Sequence, residues 1–523
     1  MDVDQAERPQ AGRIGAAALL LASSVLLSRL LGYGREALLA YQAGAGPLTD
    51  AYYAAFQIPD LLNYLLAGGA LSIAFLPLYT RHLAAGDDAG ADRLLATVLG
   101  TLTAVAAAAT ALLWWFTEPL IALQFPRFDA ATQATTVHLT RIVLPAQVFF
   151  VVGGIVNATL FAHGRFGAAA LAPLLYNAAI IAGGLLLAPH LERGVEGFAW
   201  GALAGAVLGP FLMPLLYARG RVRLGLRVAP FDRTFLAYLV IAAPLMLGQS
   251  LLTVDEWYER WFGALLGTGA VSHLSYARRL MQVPVAVVGQ AIAAAALPTL
   301  SRLWAEGRAA ELNATLLRTL QAGLALAVVA AAGCFALARP LVQLVYQRGA
   351  FGAADTAAVA GILALLCLAV PAWIAQQIAA RAFYARADTW RPMLLGTVVA
   401  LAAIPLYLAL GRTMGVRGLA LAPAIAMSVN ALATLALARW LHGAPALGAL
   451  GATLGRAALA AGPAAALVWW ALPAAPASAT TALVELTLGG AAYAALVAGG
   501  AWGVGDATLR DVLRRLTRRL LRR

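Results

Sequence analysis

The chain has no lysine and few charged residues of any kind. All 37 of its basic residues are arginines, and charged residues make up 12% of the 523-residue sequence, against 62% that are hydrophobic. Soluble proteins carry about 25% charged residues. The composition therefore excludes a soluble globular protein, and no polar stretch is long enough to form a separate soluble domain. Coding bias explains the use of arginine in place of lysine as well as selection does. The positions of the arginines are therefore the evidence for function, and their identity is not.

Cysteine is nearly absent, and motifs for metal binding or covalent catalysis are missing. The two cysteines, Cys334 and Cys367, fall in apolar runs, where free thiols usually pack as small hydrophobic groups. Their spacing fits neither a disulfide framework nor a metal site. A membrane glycosyltransferase needs a carboxylate cluster at a membrane face, and the predicted external loops offer only scattered acids. We therefore expect a protein that is not an enzyme and has no cofactor; a non-transporting scaffold stays an alternative.

Long apolar runs recur along the whole sequence. Each has about 20 apolar residues, enough for a helix to cross the ~30 Å hydrocarbon core of a bilayer. They predict an all-α polytopic membrane protein with 14 transmembrane helices. The predicted spans are 14–42, 50–82, 91–116, 132–161, 166–188, 195–218, 234–266, 270–302, 310–336, 355–385, 391–411, 416–440, 452–472 and 480–503.

The distribution of arginine between the loops predicts the orientation. With the N-terminus inside, most loop arginines fall on the cytoplasmic side, chiefly in the segment 219–233 and the tail 510–523. Cytoplasmic loops of membrane proteins carry this excess of basic residues. Both termini are therefore expected in the cytoplasm. The tail 505–523 reads as a basic amphipathic helix on the anionic membrane surface.

An internal repeat predicts the domain organisation. Phe75-Leu-Pro-Leu-Tyr-Thr-Arg81 matches Ala296-Leu-Pro-Thr-Leu-Ser-Arg302, and six spans separate the two copies. Both halves then have the same orientation, as in transporters built from two parallel repeats with the substrate near mid-membrane between them. The predicted parts are an N-terminal lobe 1–222, a C-terminal lobe 223–445, a helix pair 446–504 and the tail 505–523.

The first span contains charges that a membrane helix normally lacks. Arg29 and Arg35 lie inside it, and Asp50 begins the second span. A charge at the centre of a membrane helix costs about 2.5–3.5 kcal/mol even on lenient scales, so such residues usually mark a functional cavity. Guanidinium groups bind phosphate through paired hydrogen bonds, which predicts an anionic substrate. The alternative is that Arg29, Arg35 and Glu36 form structural ion pairs.

A second group of charges lies in spans seven and eight. Its members are Asp255, Glu256, Glu259, Arg260, Arg278 and Arg279. The carboxylates are candidates for binding a coupling cation, sodium or a proton, and salt bridges to Arg260 are an equal alternative. Arg279 is a further candidate for the anion site. Arg278 and Arg279 are adjacent and point in different directions on a helix, so at least one of them is expected to be structural.

Several motifs resemble the lipid II flippase family (MurJ, also called MviN) of the multidrug/oligosaccharidyl-lipid/polysaccharide exporter superfamily. They are Ser28-Arg29-x-x-Gly32-x-x-Arg35-Glu36, Thr49-Asp50-Ala51-Tyr52-Tyr53, Phe75-x-Pro77, Tyr276-Ala-x-Arg279-Leu280-Met281, Leu297-Pro298-x-Leu300-Ser301, Tyr346-Gln-Arg-Gly349-Ala-Phe351 and Phe383-Tyr384-Ala385. The resemblance covers nearly the whole chain. It implies two six-helix lobes and a final helix pair that holds a lipid tail.

The resemblance also implies the activity and its site. A protein of this family moves the lipid-linked peptidoglycan precursor to the outer leaflet of the bacterial inner membrane by alternating access. Arg29, Arg35 and Arg279 would bind the diphosphate–sugar head group, and Asp50 would be functionally important. Membrane lipids and the cell-wall synthesis machinery are the expected partners, nucleic acid is not, and the membrane potential, sodium or protons are the candidate driving forces.

Three positions depart from the pattern of this family. Asn63 replaces an arginine, Gly68 replaces a glutamate, and Gln282 replaces an acidic residue. One cavity arginine and two carboxylates are thus missing, which can preserve the charge balance. The alternative is a different polyprenyl-diphosphate-linked oligosaccharide, such as an O-antigen-like substrate.

Overall fold

The structure is a computed structural model that describes residues 4–66, 70–251, 254–386, 388–473 and 478–504, together with residue 510. Side chains are described for these residues except in 4–19, 70–73 and 244–251. Position 68 and nearly all of the predicted basic tail lie outside the described residues. Within them the fold is all-α, with no β-strand.

The chain divides into two compact units, Met1–Thr253 and Val254–Arg523. The helices of the first unit are α1 (Asp4–Ala43), α2 (Pro47–Ala55), α3 (Gln57–Leu66), α4 (Ala70–Ala84), α5 (Asp88–Trp115), α6 (Thr117–Gln124), α7 (Ala130–Val143), α8 (Ala146–Ala162), α9 (Gly167–Leu186), α10 (Val195–Ala206), α11 (Met213–Ala218) and α12 (Arg233–Leu251). A short 3₁₀ turn, Ala188–His190, follows α9, and a π-helical turn, Val207–Leu212, joins α10 to α11.

The second unit is also entirely helical over its described residues. Its helices are α13 (Val254–Gly263), α14 (Ala270–Pro284), α15 (Ala291–Ala305), α16 (Ala309–Ala336), α17 (Ala338–Tyr346), α18 (Ala353–Leu366), α19 (Val370–Tyr384), α20 (Trp390–Met414), α21 (Val416–His442), α22 (Leu447–Ala471) and α23 (Ala479–Gly503). A π-helical turn, Val285–Gln290, joins α14 to α15, and a 3₁₀ turn, Cys367–Ala369, joins α18 to α19.

Eleven stretches of the described residues are long and apolar enough to cross a membrane. They coincide, to within a few residues, with eleven of the predicted spans. Three predicted spans remain. Span 14–42 lies within α1, span 50–82 is divided into α2, α3 and α4, and span 234–266 is divided into α12 and α13. The all-α membrane fold is therefore confirmed, and the count of 14 transmembrane helices stays a prediction.

Exposed tryptophans lie at the ends of the long helices. Trp115 ends α5, Trp390 begins α20, and Trp440 and Trp470 lie in the last turns of α21 and α22. Their exposed fractions are 74%, 59%, 80% and 85%. Tryptophan is enriched where a transmembrane helix meets the head-group region, so these positions agree with helices that end at the membrane surface.

The break between α2 and α3 has a local cause. Pro59 has no backbone N–H, so it cannot donate the helical hydrogen bond to the carbonyl of Ala55. The hydroxyl of Thr140 on α7 donates to the Ala55 carbonyl instead, at 3.3 Å. The polar contact from a neighbouring helix satisfies the carbonyl that proline leaves open, and the second predicted span is interrupted there.

The first unit has its core where α4, α5, α8 and α12 meet. Phe75 and Tyr79 on α4 pack with Leu95 on α5 and with Phe235 and Tyr238 on α12, all buried. Helix α12 thus belongs by its contacts to the first unit, although it follows residue 222. The lobe boundary read from the repeat stays a prediction.

In the second unit, α22 and α23 pack on α16. Tyr493 on α23 is buried in this cluster and its hydroxyl donates to the Val329 carbonyl of α16 at 2.7 Å. Gly333 makes the close approach possible, because a Cβ there would lie 2.9 Å from the Tyr493 ring. The final helix pair is therefore packed against α16 within the second unit.

Candidate functional site

Arg35 is held by a polar network inside the first unit. Its Nη2 donates to Glu36 Oε1 at 2.7 Å, and its Nη1 donates to Asn177 Oδ1 at 3.3 Å. The Arg35 side chain is 16% exposed and that of Glu36 only 3%. The alternative that Arg35 and Glu36 form an ion pair is therefore realised, while the guanidinium keeps contact with solvent-accessible space.

Glu36 has a second partner on another helix. The Tyr53 hydroxyl, from α2, donates to Glu36 Oε2 at 2.5 Å. Tyr53 is buried, with an exposed fraction of 4%. Both carboxylate oxygens of Glu36 thus accept a hydrogen bond, which is the condition for keeping a charge in a buried position. The carboxylate in turn positions the Arg35 guanidinium.

Asn177 joins Arg35 to α9. While its Oδ1 accepts from Arg35, its Nδ2 donates to Ser28 Oγ at 3.1 Å and to the Pro173 carbonyl at 3.0 Å. Pro173 lies four residues before Asn177, inside the same helix α9. One buried amide therefore connects α1, α9 and the arginine.

Further polar contacts lie along the α1–α9 boundary. The Ser24 hydroxyl donates to the Ala170 carbonyl near one end, and Gln42 Nε2 donates to the Gly184 carbonyl at 2.7 Å near the other. Residue numbers rise together in both helices, so α1 and α9 are parallel. A row of side chain–backbone hydrogen bonds thus fixes the register of the helix that carries Arg35.

The other two predicted site residues of the first unit have different surroundings. Arg29 is partly buried on α1, six residues before Arg35. Asp50 is 1% exposed and lies in the first turn of α2. A carboxylate near a helix N-terminus is stabilised by the unpaired N–H groups and the helix dipole.

Arg278 is paired through all three of its guanidinium nitrogens. Its Nε donates to Glu259 Oε2 at 2.6 Å, its Nη2 donates to Glu259 Oε1, and its Nη1 donates to Asp255 Oδ2 at 2.8 Å. The Arg278 and Glu259 side chains are 5% and 3% exposed. Two carboxylates on α13 therefore enclose one guanidinium on α14, and Arg278 is the structural member of the adjacent arginine pair.

The remaining charges of this region lie beside that cluster. Arg260 Nη2 donates to Glu256 Oε1 at 3.0 Å, one helical turn away on α13. The predicted salt bridge to Arg260 is thus present for Glu256, and Arg278 is the partner of the two other carboxylates. Arg279 is partly buried. In the part of the chain that the structure describes, no three His, Cys, Asp or Glu side chains are grouped to hold a metal ion.

Sequence reasoning missed two members of the Arg35 network. Asn177 is an amide within an otherwise apolar predicted span, and this polarity was the signal that could have singled it out. Tyr53 stands in the Thr49-Asp50-Ala51-Tyr52-Tyr53 motif, and its sequence position gives no indication that its hydroxyl reaches Glu36. Both act on Arg35 through hydrogen bonds between distant parts of the chain.

With this geometry established, comparison with known proteins decides the family. A model of the family described as "Lipid II flippase MurJ" matches residues 39–485. The chain belongs to the MurJ family. A probable lipid II flippase MurJ of Rhizobium meliloti is 31% identical over 513 residues, which cover 95% of each chain. The lipid II flippase MurJ of Burkholderia cenocepacia is 33% identical over 392 residues, covering 72% of this chain and 74% of the relative.

Solved structures support the fold. A lipid II flippase MurJ in an inward closed conformation superposes with a TM-score of 0.77 at 21% identity, covering 93% of this chain and all of that one. An inward-facing multidrug resistance MATE family transporter of the MOP superfamily superposes with a TM-score of 0.69 at 16% identity, covering 82% of this chain and 98% of that one. Together with the eleven candidate spans, the MurJ membership indicates a multi-pass membrane protein.

Proposed function

We propose that this protein is a lipid II flippase. It moves the lipid-linked peptidoglycan precursor from the cytoplasmic to the outer leaflet of the bacterial inner membrane by alternating access, with both termini in the cytoplasm. The observation that carries the proposal is the MurJ family match over residues 39–485. A transporter needs no catalytic group, and its partners are the lipid-linked precursor, the surrounding lipids and the cell-wall synthesis machinery.

The Arg35 network suggests how an anionic head group is bound and released. Glu36 compensates the charge of Arg35, while Asn177, which also contacts the guanidinium, is neutral. A diphosphate that approaches Arg35 can therefore form charge-assisted hydrogen bonds in competition with the Glu36 carboxylate. Such competition keeps the affinity moderate, which transport requires. Arg29, Arg279 and Asp50 complete the proposed set of substrate-binding residues.

The driving force is proposed to include the membrane potential. Outward movement of an anion is favoured when the cytoplasm is negative, by about 2.3 kcal/mol per elementary charge for each 100 mV. Sodium or proton coupling through Asp255, Glu256 or Glu259 is the other candidate. Asp255 and Glu259 are already bound to Arg278, so a cation there would have to displace the arginine.

The first experiment is rescue of a bacterium that is depleted of its own lipid II flippase. We expect the wild-type gene to restore growth and Arg35→Ala to fail at equal membrane abundance. Arg412→Ala, at an exposed position in the last turn of α20, is the matched control and should rescue. Rescue by Arg35→Ala would remove the anion-binding role of Arg35 and leave the transport function standing.

A second candidate function is transport of another polyprenyl-diphosphate-linked oligosaccharide. It is favoured by Asn63 and Gln282, which replace charged residues of the family pattern and lie partly buried on α3 and α14. This candidate predicts that the wild-type protein inserts in the membrane yet does not rescue. Asn63→Arg would then be the first substitution expected to restore lipid II transport.

A further inference from the structure

The segment between α11 and α12 has an unusual surface. We call residues 222–232 the connecting strap. Residues 223–229 form neither helix nor strand. The sequence places the strap on the cytoplasmic side, where a long connection would normally be polar and free of large apolar groups. Here arginine and large apolar residues alternate.

The strap is fixed to α5 through its backbone. Arg227 N–H donates to the Ala96 carbonyl at 2.9 Å, and Ala229 N–H donates to Thr101 Oγ1 at 3.0 Å. Gly100 allows this approach, because a Cβ there would lie 2.4 Å from the Arg227 nitrogen. The conformation of the strap is therefore set by the fold.

The strap combines a close contact with α5 and an exposed apolar surface. Gly225 lies against α5, where an added Cβ would lie 3.1 Å from the Ala96 side chain. The large apolar side chains of the strap are exposed instead: Leu224 by 39%, Leu226 by 73%, Val228 by 64% and Phe231 by 88%.

Exposed basic residues lie between these apolar residues along the chain. Segment 219–233 contains Arg219, Arg221, Arg223, Arg227 and Arg233, all exposed, and one acidic residue, Asp232. The Asp232 carboxylate already has two local partners. It accepts a hydrogen bond from Thr234 N–H at 2.8 Å, at the start of α12, and forms an ion pair with Arg227 at 3.3 Å. The hydrogen bond from Thr234 N–H is the main cause that holds the pKa of Asp232 below its ordinary value, and the charge of Arg227 adds to it. The strap thus presents positive charge next to exposed apolar groups.

The exposed apolar surface continues directly into α12. Leu236 and Val240, one turn apart on that helix, are 43% and 76% exposed. Segment 234–266 is a predicted membrane span, so these residues are expected to face lipid. A surface that continues from lipid-facing residues to Phe231 and carries arginines has the composition of a membrane-interface segment.

We propose that the connecting strap binds the membrane surface through anionic phospholipids. The arginines contact lipid phosphates, and Leu226, Val228 and Phe231 enter the boundary between head groups and acyl chains. Charge complementarity and continuity with α12 select lipid over a second protein as the occupant. The proposal does not depend on which substrate the protein transports.

The test places a nitroxide label at position 231. The label is attached to Phe231→Cys in a background with Cys334→Ala and Cys367→Ala, and the protein is reconstituted in nanodiscs of phosphatidylcholine with phosphatidylglycerol. Electron paramagnetic resonance then measures collisions with oxygen, which enters lipid, and with a water-soluble nickel chelate. Labels at Val240→Cys and at the exposed loop residue Ala350→Cys give the lipid and water references.

We expect the label at 231 to resemble that at 240, with nickel accessibility several-fold below that at 350. Replacing phosphatidylglycerol by phosphatidylcholine, or introducing Arg221→Gln with Arg223→Gln, should raise the nickel accessibility at 231 and leave 240 unchanged. A label at 231 that behaves like 350 in both lipids would overturn the proposal, as would protection only after a cytoplasmic protein fraction is added. If the label at 231 were equally protected from nickel with and without phosphatidylglycerol, the role of anionic phospholipids would be overturned.

Discussion

Arg35 and Arg278 are both arginines in a predicted membrane span, and their surroundings differ. Arg278 is enclosed by two carboxylates, with Glu259 bound to it through both oxygens. The contacts of Arg35 include the Glu36 carboxylate and the neutral amide of Asn177. Its side chain is also more exposed, 16% against 5%.

Within the proposed function, this difference distinguishes a structural charge from one that can bind the substrate. A guanidinium that two carboxylates already neutralise has little attraction left for a third anion. In that proposal the more exposed side chain of Arg35 is the one that a diphosphate can reach. The position of an arginine inside a membrane span is therefore weak evidence for substrate binding until its partners are known.

The largest expected effect is the loss of Arg278. Arg278→Ala leaves Glu259 and Asp255 buried without their cation, and removal of one member of a buried ion pair costs about 3–5 kcal/mol. We expect a large fall in the melting temperature of the purified protein in detergent, or failure to accumulate in the membrane.

The neighbouring Arg279→Ala is the matched control and should retain most of the thermal stability. The double variant Arg278→Met with Glu259→Leu removes both charges of this ion pair. We expect it to recover part of the thermal stability that Arg278→Ala loses. An Arg278→Ala protein as stable as Arg279→Ala would contradict the structural role assigned to Arg278.

The second effect is the loss of Arg35. Truncating one partner of a desolvated charge contact costs about 2–5 kcal/mol in binding, so Arg35→Ala should reduce the transport rate of reconstituted protein at limiting substrate by more than about tenfold. The melting temperature should fall less than for Arg278→Ala, because Glu36 keeps the hydrogen bond from Tyr53.

Arg35→Lys is the conservative control for Arg35→Ala. Lysine keeps the charge and lacks the planar fork that binds phosphate through two hydrogen bonds, so we expect an intermediate rate. Equal rates for Arg35→Ala and the wild-type protein would show that the anion binds elsewhere.

These two arginines also show what could be predicted from the sequence. Hydropathy was sufficient to predict a polytopic all-α fold, since each helix must be apolar along its own length. The charged residues of both clusters were singled out from their unusual position in apolar spans. Their partners were not predictable in the same way, because Arg35 and Asn177 lie 142 residues apart.

Local spacing was insufficient in the second unit too. For the carboxylates of α13 the sequence leaves two alternatives, binding of a cation and salt bridges to Arg260, the nearest arginine along the chain. Glu259 instead contacts Arg278, 19 residues later. Which of two adjacent arginines points toward α13 depends on the rotation of α14 against α13, which packing determines and sequence spacing does not.

A smaller effect is expected from Tyr53→Phe, which removes the hydrogen bond to Glu36 and retains the ring. A hydrogen bond to a charged group contributes about 1.5–3 kcal/mol, so the melting temperature should fall measurably. Tyr52→Phe, at the adjacent buried tyrosine, is the control for loss of a hydroxyl in the same helix. If both variants had the melting temperature of the wild-type protein, the Tyr53–Glu36 contact would not contribute to the stability of the network.

The smallest effect is expected from Asn177→Leu. This variant tests the comparison of Arg35 with Arg278 most directly. It removes a hydrogen bond of Arg35 that is long, at 3.3 Å, and therefore weaker than the 2.5 Å bond from Tyr53 to Glu36. The substrate concentration for half-maximal transport should rise several-fold with little change in maximal rate. If Asn177 acts by positioning Arg35, the substitution should have no further effect in the Arg35→Ala background, because the two changes then affect one interaction. Additive losses in the double variant would instead show that Asn177 supports the packing of α1 on α9 independently of the arginine. Either result would decide whether the neutral amide belongs to the anion site or only borders it.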